Sequence, residues 1–391
     1  MSEYHPAFST RSALEREPNL LSRKMRELSE RGAPLLDLTA GNPTEVGLRH
    51  DAAAVLGALT SPRVLAYEPE PFGPAFAREA VAETYAELGA RPRPEQIVLT
   101  ASTSEAYAFL LKLLCDPGDE VLVPAPSYPL LEHLARFEGV ATKTYRLAYD
   151  GAWHIDFESL RAALGPRSRA ILVVNPNNPT GSFLSRDELA RLVEIGLPLI
   201  SDEVFATYPL EAKTDRVRTA LEADGALVFA LSGLSKLAAL PQMKLAWIAV
   251  GGNSRQEPEA LARLELIADA FLSPNAPALH ALPSWLATRH TLTAALGARL
   301  ERNLAALTRA LDRSPVTRLR VEGGWYAVLR LPATDSDEGW MLGLLEETGV
   351  VVHPGYFFDF EGPPHVVLSL ISEEAPFAAG VARLVDYVAA R

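Results

Sequence analysis

The chain has 391 residues, of which 48% are hydrophobic and 22% charged, a composition that excludes a disordered or fibrous protein. Its length favours one large domain with a smaller one attached, enough to enclose a sizeable pocket. A formal net charge of −12, with no long basic tract, excludes nucleic acid and anionic membrane as principal partners, because neither gains from meeting an acidic surface.

Cys115 is the only cysteine, so neither an intrachain disulfide nor a Cys-rich metal site is available, and no metal is expected. In "LLKLLCDPG" it reads as a small buried apolar residue. The N-terminal stretch lacks the basic-then-apolar layout of a signal peptide, and no window reaches the run of about 18 apolar residues that spans a bilayer. A cytoplasmic protein is the expectation.

In chain order, short apolar runs predict buried strands at 35–38, 96–100, 120–124, 141–147, 170–175, 197–203, 226–232 and 244–250. Helix-period stretches such as "AFAREAVAETYAELG" and "SRDELARLVEIG" lie between them, an alternation that predicts an α/β domain with a mostly parallel sheet. From about residue 254 a long helical stretch follows, then "RLRVEGGWYAVLRLP", a helix, "VVVHPG", "HVVLSL" and a final helix, which predict a second, α+β domain. The expected division is an N-terminal segment, 1–44, packed on the small domain, a large domain, 45–285, and a C-terminal small domain, 286–391.

Four segments carry candidate chemistry. In "VLTASTSEAYAFLLKLL" a strand turns into a helix with apolar positions Ala106, Phe109, Leu110 and Leu113 on one face. Ser102 with Glu105 fits a capping box, while Ser102, Thr103 and Ser104 at a helix N-terminus also suit a phosphate. In "VVNPNNPTG" a strand ends at Asn175 and two X-Pro bonds frame paired amides, which would hold Asn178 at the carboxyl edge of a parallel sheet, where ligands bind. In "LPLISDEVFATY" Asp202 and Glu203 end an apolar strand. Lys236, in "SGLSK", follows the next strand, and a second lysine, Lys244, stands between Met243 and Leu245. An acid and an amine at the ends of two buried strands point to a site rather than a surface ion pair.

Taken together and in this order, "TASTSEA", "PGDEVLVPAPSYP", "NPNNPTG", "SDEV", "SGLSK" and the late "PG" resemble the class I/II pyridoxal-phosphate aminotransferases of fold type I, over almost the whole chain. The resemblance implies an α/β large domain that binds pyridoxal 5'-phosphate, and a homodimer with shared active sites. It implies that Lys236 forms the Schiff base and shuttles the proton, that Asp202 pairs with the pyridinium nitrogen, and that Asn178 hydrogen-bonds the ring oxygen. It further implies that Tyr128 stacks on the ring and that Ser102, Thr103, Ser104, Lys244 and a partner subunit's Tyr67 hold the phosphate. Lys244 stands where the family has an arginine, supplying charge without the bidentate fork. Gly41 would lie beside the substrate carboxylate, and Trp325 and Tyr326 match a strand that faces substrate or serves as core.

Three positions depart from the family pattern. Phe205 replaces a tyrosine that donates to the ring oxygen, Gly233 replaces a phosphate-binding serine, for which Ser232 or Ser235 could substitute, and Val367 replaces the arginine that grips the substrate carboxylate. Arg11 and His353 are the candidate cations in its place. The resemblance implies transfer of an amino group between an amino acid, or a related amine, and a 2-oxo acid. The same scaffold supports a carbon–sulfur β-lyase or, with a decayed site, a binding protein.

Overall fold

The computed structural model describes residues 8–13, 17–212 and 214–391. Eight strands form the main sheet: β2 (Ile97–Thr100), β3 (Glu120–Ala125), β4 (Ala141–Tyr149), β5 (Trp153–Ile155), β6 (Ser168–Val174), β7 (Leu199–Asp202), β8 (Val228–Gly233) and β9 (Ala246–Gly251), in the order β2-β9-β8-β7-β6-β3-β4-β5. Strands β3, β4, β6, β7 and β8 pair parallel, while β9 runs antiparallel between β2 and β8 and β5 runs antiparallel on the β4 edge. Buried on both faces, β2, β8 and β9 read as mostly apolar runs rather than alternating ones, the pattern of a sheet covered on both sides. Their apolar side chains enter separate cores on the two faces, one holding Val98, Leu110, Phe229 and Ile248, the other Leu99, Trp247, Leu282 and Trp285.

The expected strand at 35–38 is not part of this sheet. It shortens to β1 (Leu36–Asp37) and pairs parallel with β12 (Val350–Val351), far along the chain. A second sheet, in the order β10-β11-β14-β13, contains β10 (Thr317–Arg318), β11 (Tyr326–Arg330), β14 (His365–Ser369) and β13 (His353–Pro354). A core of Leu21, Leu38, Leu296, Leu300, Trp325, Trp340 and Phe377 brings N-terminal residues together with the long helix His290–Ala310 and the last helix, Glu374–Ala389. Among the described residues no helix is long and apolar enough to cross a membrane.

A lattice of backbone bonds joins the two sheets just before β11. Glu322 N and Gly323 N both donate to Gly181 O, at 3.1 and 2.9 Å, and Gly324 N donates to Tyr208 O at 2.9 Å. Gly181 has φ +70°, and a Cβ there would collide with the Val321 side chain and lie 2.5 Å from Gly323 O, so only glycine fits. Gly225 has a similar φ, +86°, but open space around it. Gly181→Ala should therefore cost about 3 kcal/mol, and Gly225→Ala only about 1 kcal/mol, in chemical denaturation. Equal losses would show that the close approach at Gly181 contributes nothing beyond its φ.

Candidate active site

The C-terminal ends of β6, β7 and β8 lie side by side, because Val174 pairs with Asp202 and Asp202 with Leu231. Each end leads to one polar group. Asn178 lies four residues past β6, Asp202 is the last residue of β7, and Lys236 sits in the one-turn helix Leu234–Leu237 directly after β8. All three line a cavity of about 360 Å³, with Gly41, Thr103, Tyr107, Tyr128, Phe205 and Tyr326 among its other walls. Thr103 and Tyr128 follow β2 and β3, so five strands contribute to one edge, as expected for an open α/β sheet.

Lys236 Nζ donates to Gly41 O at 3.4 Å and lies 4.7 Å from the centre of the Trp325 ring and 5.7 Å from that of Phe205. Burial lowers its pKa to about 8, against the opposing pull of the Asp202 charge. Asp202 Oδ2 accepts from the Tyr107 hydroxyl at 2.8 Å, and Oδ1 accepts from Val204 N at 3.2 Å. Burial pushes this carboxyl above its ordinary pKa, while Tyr107, Val204 and Lys236 pull it down. Glu203 separates from Asp202 because successive strand residues face opposite sides. It is 2% exposed, accepts from Ser201 Oγ at 2.8 Å and Ala220 N at 2.7 Å, and burial raises its pKa to about 7.

The asparagines divide the work of the loop after β6. Asn175 Nδ2 donates to Val217 O at 3.0 Å and its Oδ1 accepts from Leu184 N at 3.0 Å. Asn177 Nδ2 donates to Pro126 O and Thr180 Oγ1, and its Oδ1 accepts from Ser127 Oγ. Both amides are consumed in shaping the loop. Asn178 Oδ1, by contrast, is buried with no hydrogen-bond partner, and the residue lines the cavity.

The remaining predicted residues fall at different distances from this centre. Ser102 is an N-cap: its hydroxyl accepts from Glu105 N at 3.1 Å, but Glu105 Oε2 reaches back to Ala101 N rather than to Ser102 N, so only half of the expected capping box forms. Thr103 lines the cavity, whereas Ser102 and Ser104 do not. Lys244 is exposed on the turn into β9, two residues before the cavity-lining Ala246. Tyr67 is 77% exposed and lies outside the cavity wall. Trp325 is fully buried core outside the cavity lining, and its ring flanks Lys236. Tyr326 lines the cavity.

The two candidate cations do not reach the cavity. Arg11 is exposed and donates from Nη1 to Phe137 O at 2.9 Å, at the end of the helix Leu130–Glu138 remote from the cavity-lining Leu130. His353 stands opposite Val367 in the β13–β14 pairing, but it packs against Phe357 and Phe358, and burial lowers its pKa. Val367 is 1% exposed in an apolar cluster with Leu319, Val328 and Phe358. Gly233 has a steric reason: a Cβ there would lie 2.8 Å from Ala246 Cβ and 3.1 Å from Leu245 O, so a serine cannot enter while β9 keeps its place.

Sequence reasoning missed Tyr107, which is 4% exposed beside the expected apolar face of its helix. The available signal was a hydroxyl among apolar residues, one turn into a helix that starts at the binding edge of the sheet. In cofactor-free protein, Lys236 should react with a small amine-directed reagent with a pH midpoint near about 8, well below the roughly 10.4 of a free lysine. Asp202→Asn removes the charge that raises this pKa, so the midpoint should fall; a midpoint that stays or rises would contradict the coupling.

Comparison with known proteins gives the family and the fold. The profile of the family described as aminotransferase class I and II matches residues 33–374. Alanine aminotransferase of Mycobacterium tuberculosis (strain ATCC 25618 / H37Rv) is 28% identical over 375 residues, covering 92% of this chain and 87% of that protein. The glutamate-pyruvate aminotransferase AlaA of Escherichia coli (strain K12) is 26% identical, covering 88% and 87%. Among solved structures, alanine aminotransferase from Pyrococcus furiosus superposes with a TM-score of 0.88 at 24% identity, over 98% of this chain and 100% of that one. A single mutant of Thermus thermophilus aspartate aminotransferase gives 0.83 at 26%, again over 98% and 100%. With its fold type I architecture and a match over most of its length, the chain belongs to the class I and II aminotransferase family.

Proposed function

We propose that this aminotransferase holds pyridoxal 5'-phosphate on Lys236 and exchanges an amino group between an amino acid, or a related amine, and a 2-oxo acid. The carrying observation is a half-buried amine of lowered pKa and a half-buried carboxylate lining one cavity together with the Asn178 amide. An amine, a carboxylate acceptor and an amide whose Nδ2 can donate fit the cofactor. Bound there, pyridoxal 5'-phosphate would supply an aldehyde to carry the amino group and a ring to withdraw electron density from the substrate's Cα.

In this reading each side chain has a physical task. Lys236 holds the cofactor covalently and, when released, moves the proton at the substrate's Cα, for which an amine titrating near about 8 is well matched. Asp202 keeps a proton on the ring nitrogen. Asn178 donates to the ring oxygen, and Phe205, in contact with the Trp325 and Tyr326 rings, contributes shape rather than a donor. Tyr128 covers the ring face, while Leu130, Leu131, Leu172 and Val174 keep water from the reacting atoms. The helix starting at Thr103 leaves N–H groups without intrahelical acceptors and suits the phosphate, with Lys244 on the turn before β9, whose Ala246 pairs with Thr100.

Among the described residues that line the cavity, Lys236 is the only cation. A substrate carboxylate would therefore meet neutral donors, Asn178 and the Tyr326 hydroxyl, beside Gly41. The exposed apolar surface at Leu65 and Tyr67 supports a second copy of the chain packing there, as a homodimer. The division into a large domain, 45–285, and a small one, 286–391 with 1–44 packed on it, belongs to the same reading, as does a cytoplasmic location, which the single cysteine supports.

Borohydride reduction of the holoenzyme, followed by peptide mass mapping, should fix the cofactor to Lys236 and leave Lys236→Ala unlabelled. Incubation with amino acids and a 2-oxo acid should yield the amino acid of the added oxo acid. Release of pyruvate and ammonia without amino transfer would instead assign a β-lyase.

A further inference from the structure

We propose that Tyr107 is a positioning residue for this reaction: its hydroxyl holds Oδ2 of Asp202 so that the carboxylate stays charged and presents a fixed edge to the cofactor's ring nitrogen. The proposal rests on the reading of Asp202 given above.

The geometry supplies the argument. Tyr107 lies in the helix Thr103–Leu114, is 4% exposed and lines the same cavity as Asp202 and Lys236. Among the described residues, its hydroxyl makes one hydrogen bond, to Asp202 at 2.8 Å. Val204 N holds the other oxygen at 3.2 Å, so donors from two different elements pin both oxygens of one planar group. A carboxylate has about four acceptor sites, and these two donors leave about two, so a donor from the cavity side can be accepted. Burial holds the phenol's pKa well above its ordinary value, so Tyr107 stays a donor at working pH. Its hydrogen bond also lowers the pKa of Asp202, opposing the burial that would otherwise neutralise the carboxylate.

Removing the hydroxyl while keeping the ring leaves the packing and takes away both effects. A neutral or rotated Asp202 would then hold the ring nitrogen's proton poorly. It would also cease to raise the pKa of Lys236, which gives a readout that needs no cofactor.

The test is Tyr107→Phe, with two measurements. In cofactor-free protein, the pH midpoint of Lys236 labelling should fall toward that of Asp202→Asn; an unmoved midpoint overturns the proposal, whatever the cofactor does. In binding, pyridoxal 5'-phosphate is compared with its 1-deaza analogue, in which C–H replaces the ring nitrogen. Tyr107→Phe should weaken the natural cofactor about tenfold, the scale of a hydrogen bond to a charged group, and the analogue less than about twofold. Equal weakening of both would reduce Tyr107 to a packing residue and overturn the proposal. If the unsubstituted protein binds the two equally, the pairing of Asp202 with the ring nitrogen fails, and this use of Tyr107 fails with it; the Lys236 midpoint then still reports whether Tyr107 keeps Asp202 charged. In an Asp202→Asn background, Tyr107→Phe should change affinity by less than about twofold, since the group it acts through is gone.

Discussion

An amine and a carboxylate, each half-buried at the ends of neighbouring strands, set the terms for the rest of this structure. A buried ion is stabilised only when partners replace its lost water, and here the partners are few: Tyr107 and Val204 for Asp202, Gly41 O and two aromatic faces for Lys236. The result is an under-satisfied pair whose pKa values move toward neutrality, upward for the acid and downward for the amine. An apolar replacement would make a more stable core. The retention of both groups in one cavity is what gives the site its chemistry.

That arrangement demands a rigid support, and the surrounding polar groups provide it. Asn175 and Asn177 complete their hydrogen bonds inside the loop after β6, which fixes where Asn178 stands and leaves its oxygen open. The bonds from Glu322, Gly323 and Gly324 to Gly181 O and Tyr208 O bring the start of β11 against the main sheet, and this is what sets Trp325 under the lysine. Tyr208 adds a second tie through its hydroxyl, which donates to Lys236 O at 2.7 Å.

The departures from the family pattern lie partly on the cavity wall, at Phe205 and Gly233, and partly outside it, at Val367. Phe205 and Val367 replace polar contacts by apolar ones, and Gly233 is forced by the closeness of β9. The cavity wall thus carries an apolar ring at Phe205, while Tyr107 and Val204 N both donate to the Asp202 carboxylate. Electrostatic control is concentrated on the Asp202 side.

The sequence by itself determined seven of the eight strands of the main sheet, all but the three-residue edge strand β5, together with the α/β class and the three polar groups at the ends of β6, β7 and β8. These are local properties: a buried parallel strand is a short apolar run, and its carboxyl end is where a ligand-facing side chain stands. Only the tertiary structure decided what converges on them. Gly41 O meets Lys236 across 195 residues of chain, and Tyr107 meets Asp202 across 95, contacts that no local period encodes. It also decided that Arg11 caps a helix end at Phe137 O and that His353 packs among phenylalanines, away from the cavity. The segment at 35–38 has the composition of a main-sheet strand, yet it pairs with β12, because strand pairing depends on which edge the chain can reach and not on apolar content alone.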